Sequence, residues 1–195
     1  MLSFKSRHFP KEVILQCVRW YCTYALSYRN IEEILAEKGV EADHSTLNRW
    51  VVFYAQKLEK EFHKKKKRPG DRWRLDERDT KAALRYLTQA IKRNGKPSLV
   101  NIDKSGANKA AVTQYNTDNS QRVVVRQCKY LNNIIEQDHR RIKRITRLML
   151  GFKNFNSAQS TLAGIEVVAM IKKGQVKKNI SRQLSCADQF YALAA

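Results

Sequence analysis

Three acidic residues in a strongly basic chain have the types and the spacing for metal chemistry: Asp76, Asp103 and Glu136. Asp76 follows Trp73-Arg74-Leu75, and Asp103 follows Leu99-Val100-Asn101-Ile102; both runs read as short strands. Glu136 lies in Asn132-Asn133-Ile134-Ile135-Glu136-Gln137-Asp138-His139, which opens a helical stretch rich in Arg and Lys. Residues 73–195 hold 23 basic and nine acidic side chains, a net of +14. Carboxylates kept in such surroundings point to divalent cations acting on a polyanion. Taken singly, each acid has a plainer reading. Asp76 could be an exposed strand-end acid, Asp103 a turn residue, and Glu136 one half of a surface ion pair with Arg140. Taken jointly, the pattern favours metal ligation. Glu136, Arg140 and Lys143 stand at i, i+4 and i+7, one helical face on which a metal-bound carboxylate would meet cations for phosphate.

The elements that must position these residues follow from periodicity and punctuation. A helix capped by Asp79-Thr80 runs to about Arg93, with Ala82, Ala83, Tyr86, Leu87 and Ile91 inward, and Asn94-Gly95 ends it. Residues 97–103 form a strand. Residues 104–120 are ambiguous, with a short helix over 108–115. Residues 121–127 form another strand around Val123-Val124-Val125. A long helix spans about 131–150, and a last one spans 155–173. Strand, helix, strand, strand, helix gives an α/β layer with the acids at strand ends and on a facing helix. Residues 175–195 read as a poorly ordered tail ending in a weak helix.

Upstream, residues 10–62 read as three helices. Pro10 opens the first, with Val13, Ile14, Cys17, Val18, Trp20, Tyr21 and Tyr24 at helical spacing. Ser27 caps the second, and Gly39 ends it. The third begins at His44-Ser45-Thr46 and turns Leu47, Trp50, Val51 and Tyr54 inward. Two helices joined by a short Gly-containing turn fit a helix-turn-helix, although a three-helix bundle without a DNA role has the same outline. In the first case Ser45, Thr46, Asn48 and Arg49 face bases or phosphates, and the segment is expected to bind DNA by itself. The run Lys64-Lys65-Lys66-Lys67-Arg68-Pro69-Gly70-Asp71 reads as a solvated linker. The expected organisation is a helix-turn-helix domain over 1–62, a basic linker over 63–72, a catalytic domain over 73–174 and a tail over 175–195.

The 195 residues carry a net charge of +20, with a pI near 10.0. That balance points to nucleic acid, double-stranded DNA above all. No apolar run approaches the roughly 20 residues of a membrane span, and the amino terminus lacks a signal-peptide core, so the expected compartment is the cytoplasm. Cys17, Cys22, Cys128 and Cys186 form no CxxC pair and read as reduced thiols.

Several motifs carry a family resemblance. Upstream these are Phe4-Lys5-Ser6-Arg7-His8-Phe9, Val18-Arg19-Trp20-Tyr21, Tyr28-Arg29-Asn30-Ile31-Glu32-Glu33 and residues 43–51. Downstream they are Trp73-Arg74-Leu75-Asp76-Glu77, Asn101-Ile102-Asp103-Lys104, residues 129–139, Arg140-Arg141-Ile142-Lys143-Arg144, Gly151-Phe152-Lys153 and Gly164-Ile165-Glu166-Val167. In this order they resemble a compact bacterial insertion-sequence transposase. Its DDE catalytic domain is similar to retroviral integrase cores, with a ribonuclease H-like fold. The resemblance implies Asp76, Asp103 and Glu136 as catalytic residues and ligands of two Mg²⁺ or Mn²⁺ ions. It also implies Lys143 as the basic residue after the Glu, transposon ends and target DNA as partners, and a homo-oligomer on DNA. Water attack nicks the element's end, and the freed 3′-hydroxyl attacks target DNA in line.

The chain departs from that family at one place. Asp103 and Glu136 are 33 positions apart, the family interval, but Asp76 and Asp103 are only 27 apart. Glu77-Arg78-Asp79 passes straight into a helix where the family has a two-stranded hairpin, about thirty residues in all. The expected sheet falls from five strands to about three, and its first strand becomes an edge. The alternatives to an active transposase are a catalytically dead DNA-binding relic and a helix-turn-helix transcriptional regulator.

Overall fold

A computed structural model describes residues 2–4, 8–104, 106–120, 122–128, 132–149, 152, 154–177 and 184–195, without the side chains of 132–135 and 138. Residues 5–7, 121, 129–131, 151 and 153, which carry parts of the expected third strand and of three motifs, lie outside the described residues. The chain divides into two compact units, one formed by Met1–Lys67 with Arg141–Ala195 and the other by Arg68–Arg140. This division differs from the sequence expectation. Residues 141–174, expected in the catalytic domain, group with the first unit instead.

The first unit opens with three helices: α1 (Lys11–Thr23), α2 (Tyr28–Ala36) and α3 (His44–Lys65). Ser27 caps α2 with a reciprocal bond to Asn30. The exit from α2 is a paired closure in which Gly39 N–H bonds Ala36 and Val40 N–H bonds Leu35. Gly39 sits at φ 71°, a conformation that favours glycine. Asp43 caps α3, accepting from the backbone N–H groups of Ser45 and Thr46. The inward positions on α3 are as read, with Leu47, Trp50, Val51 and Tyr54 buried. On α1, however, Tyr24 is largely exposed and Leu15 and Cys22 are buried, because the helix is covered from two sides.

The second cover comes from the carboxy terminus. Helix α7 (Phe155–Lys172) packs against both α1 and α3. It buries Thr161, Ala163, Gly164, Ile165, Val167, Val168 and Ile171, nearly its whole circumference. The short α8 (Cys186–Tyr191) packs on α7 and α1, and Phe190, Leu193 and Ala194 are buried. Residues 184–195 are therefore an ordered part of this core, not a loose tail. Burial pushes the Cys17 and Cys22 thiols up to about 12, which keeps them protonated and unreactive.

The basic run is likewise not a free linker. Lys64 and Lys65 end α3, Lys66 forms an antiparallel bridge with Val176, and Lys67 N–H bonds Gln175. Backbone pairing ties the run to residues 175–177, a contact far away in sequence.

The Tyr54 ring stacks on Phe4, with centroids 4.8 Å apart, but its buried hydroxyl has no hydrogen-bond partner among the described residues. Deleting an unsatisfied polar group removes a cost and no bond. Tyr54→Phe is therefore expected to leave thermal stability unchanged or raise it by about 1 kcal/mol. A clear fall in melting temperature would show that the hydroxyl has a partner.

The second unit is a small parallel α/β layer. Strands β1 (Arg72–Leu75), β2 (Leu99–Ile102) and β3 (Val124–Gln127) pair in the order β1-β2-β3. Helix α4 (Thr80–Asn94) connects the first two strands, and α5 (Gly106–Asp118) the next two. Right-handed crossovers in one direction put both helices on the same face, and α4 packs on α5. The core between them holds Leu75, Val100, Ile102, Ala83, Leu87, Ala111, Val112 and Tyr115. Tyr86, expected inward, is 57% exposed, since only Ala83 and Leu87 of α4 are buried. The opposite alternation of the sheet carries Arg72, Arg74 and Arg126, all exposed. Helix α6 (Asn132–Thr146) follows, continued by a 3-10 turn, Arg147–Met149.

Candidate active site

Parallel register places two of the three expected acids. Leu75 pairs with Ile102, so Asp76 and Asp103 each come one residue beyond a matched pair of neighbouring strands. Adjacent strands lie about 4.8 Å apart, so the two aspartates leave the carboxyl edge of the sheet side by side. Both are half-buried. This is the edge at which open α/β sheets form their sites. It exists because β1, although only four residues long, pairs with β2 along its full length.

A residue that the sequence reading did not single out connects these strand ends. Asn108, in the first turn of α5, is 0% exposed. Glu77 N–H donates to its Oδ1 at 3.1 Å, and its Nδ2 donates to Asp103 Oδ1 at 3.2 Å. A signal was present: Asn108, Ala111, Val112 and Tyr115 recur at i, i+3, i+4 and i+7, the buried stripe of α5. An amide among small and apolar residues on a core face needs partners.

Glu136 takes its plainer reading. Its carboxylate lies 3.7 Å from Arg140, with side chains 60% and 79% exposed respectively. Lys143 and His139 are also exposed. Among the described residues, no three His, Cys, Asp or Glu side chains gather into a group that could hold a metal ion. The structure thus brings Asp76 and Asp103 together and does not gather Glu136 with them.

At the start of α3, Ser45, Asn48 and Arg49 are exposed and Thr46 is half-buried. Asp43 organises this turn. Its carboxylate accepts from the Ser45 hydroxyl and from Thr46 Oγ1 at 2.8 Å, and those hydroxyls hold it well below the usual carboxylate range. Arg49 Nη2 donates to Thr46 Oγ1 at 2.8 Å. The polar residues expected to meet DNA are therefore already oriented by an acid cap. No helix among the described residues is long and apolar enough to cross a membrane.

Comparison with known proteins identifies the family. Residues 63–175, more than half of the chain, match the family model DDE_Tnp_IS240, a DDE domain. The chain is 36% identical to the transposase for insertion sequence-like element IS431mec of Staphylococcus aureus strain Mu50, covering 90% of this chain and 91% of the relative. The transposase for insertion sequence element IS257 in transposon Tn4003, also from Staphylococcus aureus, matches at the same identity and coverage. No solved structure matches the chain. The alignment to these relatives spans 208 positions, although the chain has only 195 residues. The relatives thus contain residues with no counterpart here, as the short Asp76–Asp103 interval requires of a shortened chain. The ordered motifs, the DDE match and the similarity over nine-tenths of the sequence establish that this chain belongs to the DDE transposases of bacterial insertion sequences.

Proposed function

We propose that this transposase-family chain binds insertion-sequence end DNA through α1–α3, holds a divalent cation between Asp76 and Asp103, and does not complete strand transfer. The observation that carries the reading is the matched register behind the two aspartates, set against Glu136 paired with Arg140. The pair fits a hard cation: two carboxylates leave the positions that water and phosphate oxygens take on Mg²⁺ or Mn²⁺. A cation held there supplies Lewis-acid activation of the attacking oxygen and charge stabilisation at phosphorus. Asp76 and Asp103 provide the ligands, and Arg140 and Lys143, exposed on α6, are cations available to DNA phosphates. Glu136 is the third ligand that the family resemblance requires, and in this reading its absence from the pair blocks the reaction. We read the three parallel strands as a ribonuclease H-like sheet without its two hairpin strands, and α2–α3 as a helix-turn-helix. The family acts on DNA with divalent metal ions.

Binding is tested on the full chain, because α7 and α8 complete the core under α1–α3 and a 1–68 fragment would expose it. Neutralising about six phosphates gives a log–log salt slope near −5. Arg49→Ala is expected to weaken binding to the element's end by about 1–3 kcal/mol and to reduce its preference over scrambled DNA. Equal affinity for both DNAs, unchanged by the substitution, would overturn sequence-specific recognition by α3. A flat salt dependence would remove the nucleic-acid reading altogether.

A further inference from the structure

The geometry points to Asn108 as the positioning residue that fixes the Asp76–Asp103 pair for metal binding; this rests on the two-aspartate reading above. A strand of four residues at a sheet edge is a weak anchor for a ligand that follows it. Asn108 answers that weakness from the neighbouring helix. Its Oδ1 receives the N–H of Glu77, the residue after Asp76, while its Nδ2 holds a carboxylate oxygen of Asp103. A single amide thus joins the end of β1 to the acid after β2. An amide suits both bonds because it accepts on one atom and donates on the other, with no charge to compete with the cation. Full burial between Ala111, Val112 and the strands leaves it little rotational freedom. The Asp103 oxygen that accepts from Nδ2 is oriented by that bond. Support of this kind behind a metal ligand typically changes affinity by about 10–100-fold.

Helix α5 also contains the control. Asn116 makes the same type of double bond at the far end of the helix. Its Nδ2 donates to Val123 O at 3.1 Å, and its Oδ1 accepts from Val123 N–H at 2.8 Å. It contacts the loop before β3 and neither aspartate. Asn108→Leu and Asn116→Leu each remove the paired side-chain bonds described above from one helix, so a purely structural role predicts a loss of stability in both and a change in Mn²⁺ affinity in neither.

The experiment titrates Mn²⁺ into the full chain by electron paramagnetic resonance and follows hydrogen exchange at the Glu77 amide without metal. Asn108→Leu is expected to weaken Mn²⁺ binding by about 10–100-fold and to speed Glu77 exchange, whereas Asn116→Leu lowers the melting temperature and leaves Mn²⁺ affinity within about twofold. Should Asn108→Leu unfold the second unit, Asn108→Ser serves instead; it keeps a polar group but is too short for both bonds, and the same loss is expected. Equal Mn²⁺ affinity in the wild-type chain and a folded Asn108 variant overturns the inference, as does an equal loss in the Asn116 variant. A wild-type chain that binds no Mn²⁺, with Asp76→Asn changing nothing, overturns the two-aspartate reading; the strand-end clamp is then decided by Glu77 exchange alone.

Discussion

Incubated with insertion-sequence end DNA, a target plasmid and Mg²⁺ or Mn²⁺, the purified chain is expected to yield no joined product. The family resemblance implies three carboxylates, Asp76, Asp103 and Glu136, placed around metal ions, and a misplacement of 1 Å can cost about 100-fold in rate. Two of the three leave neighbouring strand ends, and Glu136 is an exposed partner of Arg140. Inserting between Glu77 and Arg78 the two-stranded hairpin that the family resemblance implies, taken from an intact relative, is expected to restore joining, because a hairpin beside β1 removes its exposed edge and rebuilds the sheet. Glu136→Gln in the grafted chain should abolish product again. Robust transfer by the unmodified chain would mean that Glu136 swings onto the aspartates when DNA binds, and the proposal of an incompetent site would fall. The outcome is read on a gel as joined plasmid, with Asp103→Asn as the blank.

Replacing Gly164 is expected to destabilise the first unit strongly, against the trend of helix propensity. Gly164 lies inside α7, where alanine would ordinarily gain about 1 kcal/mol. A Cβ built there, however, would stand 2.5 Å from Cys22 Sγ and 3.1 Å from Ala55 Cβ. Cys22 and Ala55 are both fully buried, so neither has room to retreat. Overpacking of this kind costs about 1–3 kcal/mol, and a larger residue costs more. Gly164→Ala should therefore lower the melting temperature, by roughly 2–4 °C per kcal/mol for a chain of this size. Gly164→Val should lower it further. Adding Cys22→Ala to Gly164→Ala should recover part of the loss, a coupling that a double-mutant cycle measures. A rise in melting temperature for Gly164→Ala alone would show that α7 does not approach α1 and α3 so closely.

Much of this was readable in one dimension. Periodicity and punctuation located α1 to α4, β2 and α7, because caps such as Ser27, Asp79 and Gly39 act within a few residues of themselves. The acids and their motifs were sufficient for the family, and the short interval after Asp76 foretold a three-stranded sheet with β1 at its edge.

Tertiary structure alone decided the rest. Helix α7 is apolar almost all round, so its sequence does not say which neighbours bury it; they proved to be α1 and α3. The basic run looked like a linker because its pairing partner, residues 175–177, is over a hundred positions away. Glu136 fits a ligand motif and a helix-surface ion pair equally well in sequence, since i, i+4 spacing serves both. Asn108 acquires its role only when β1 and β2 come into register, because its two bonds reach residues 31 positions before it and five positions before it. Local sequence determines caps, helices and ligand types; which carboxylates share a site is a long-range property, fixed by pairing and packing.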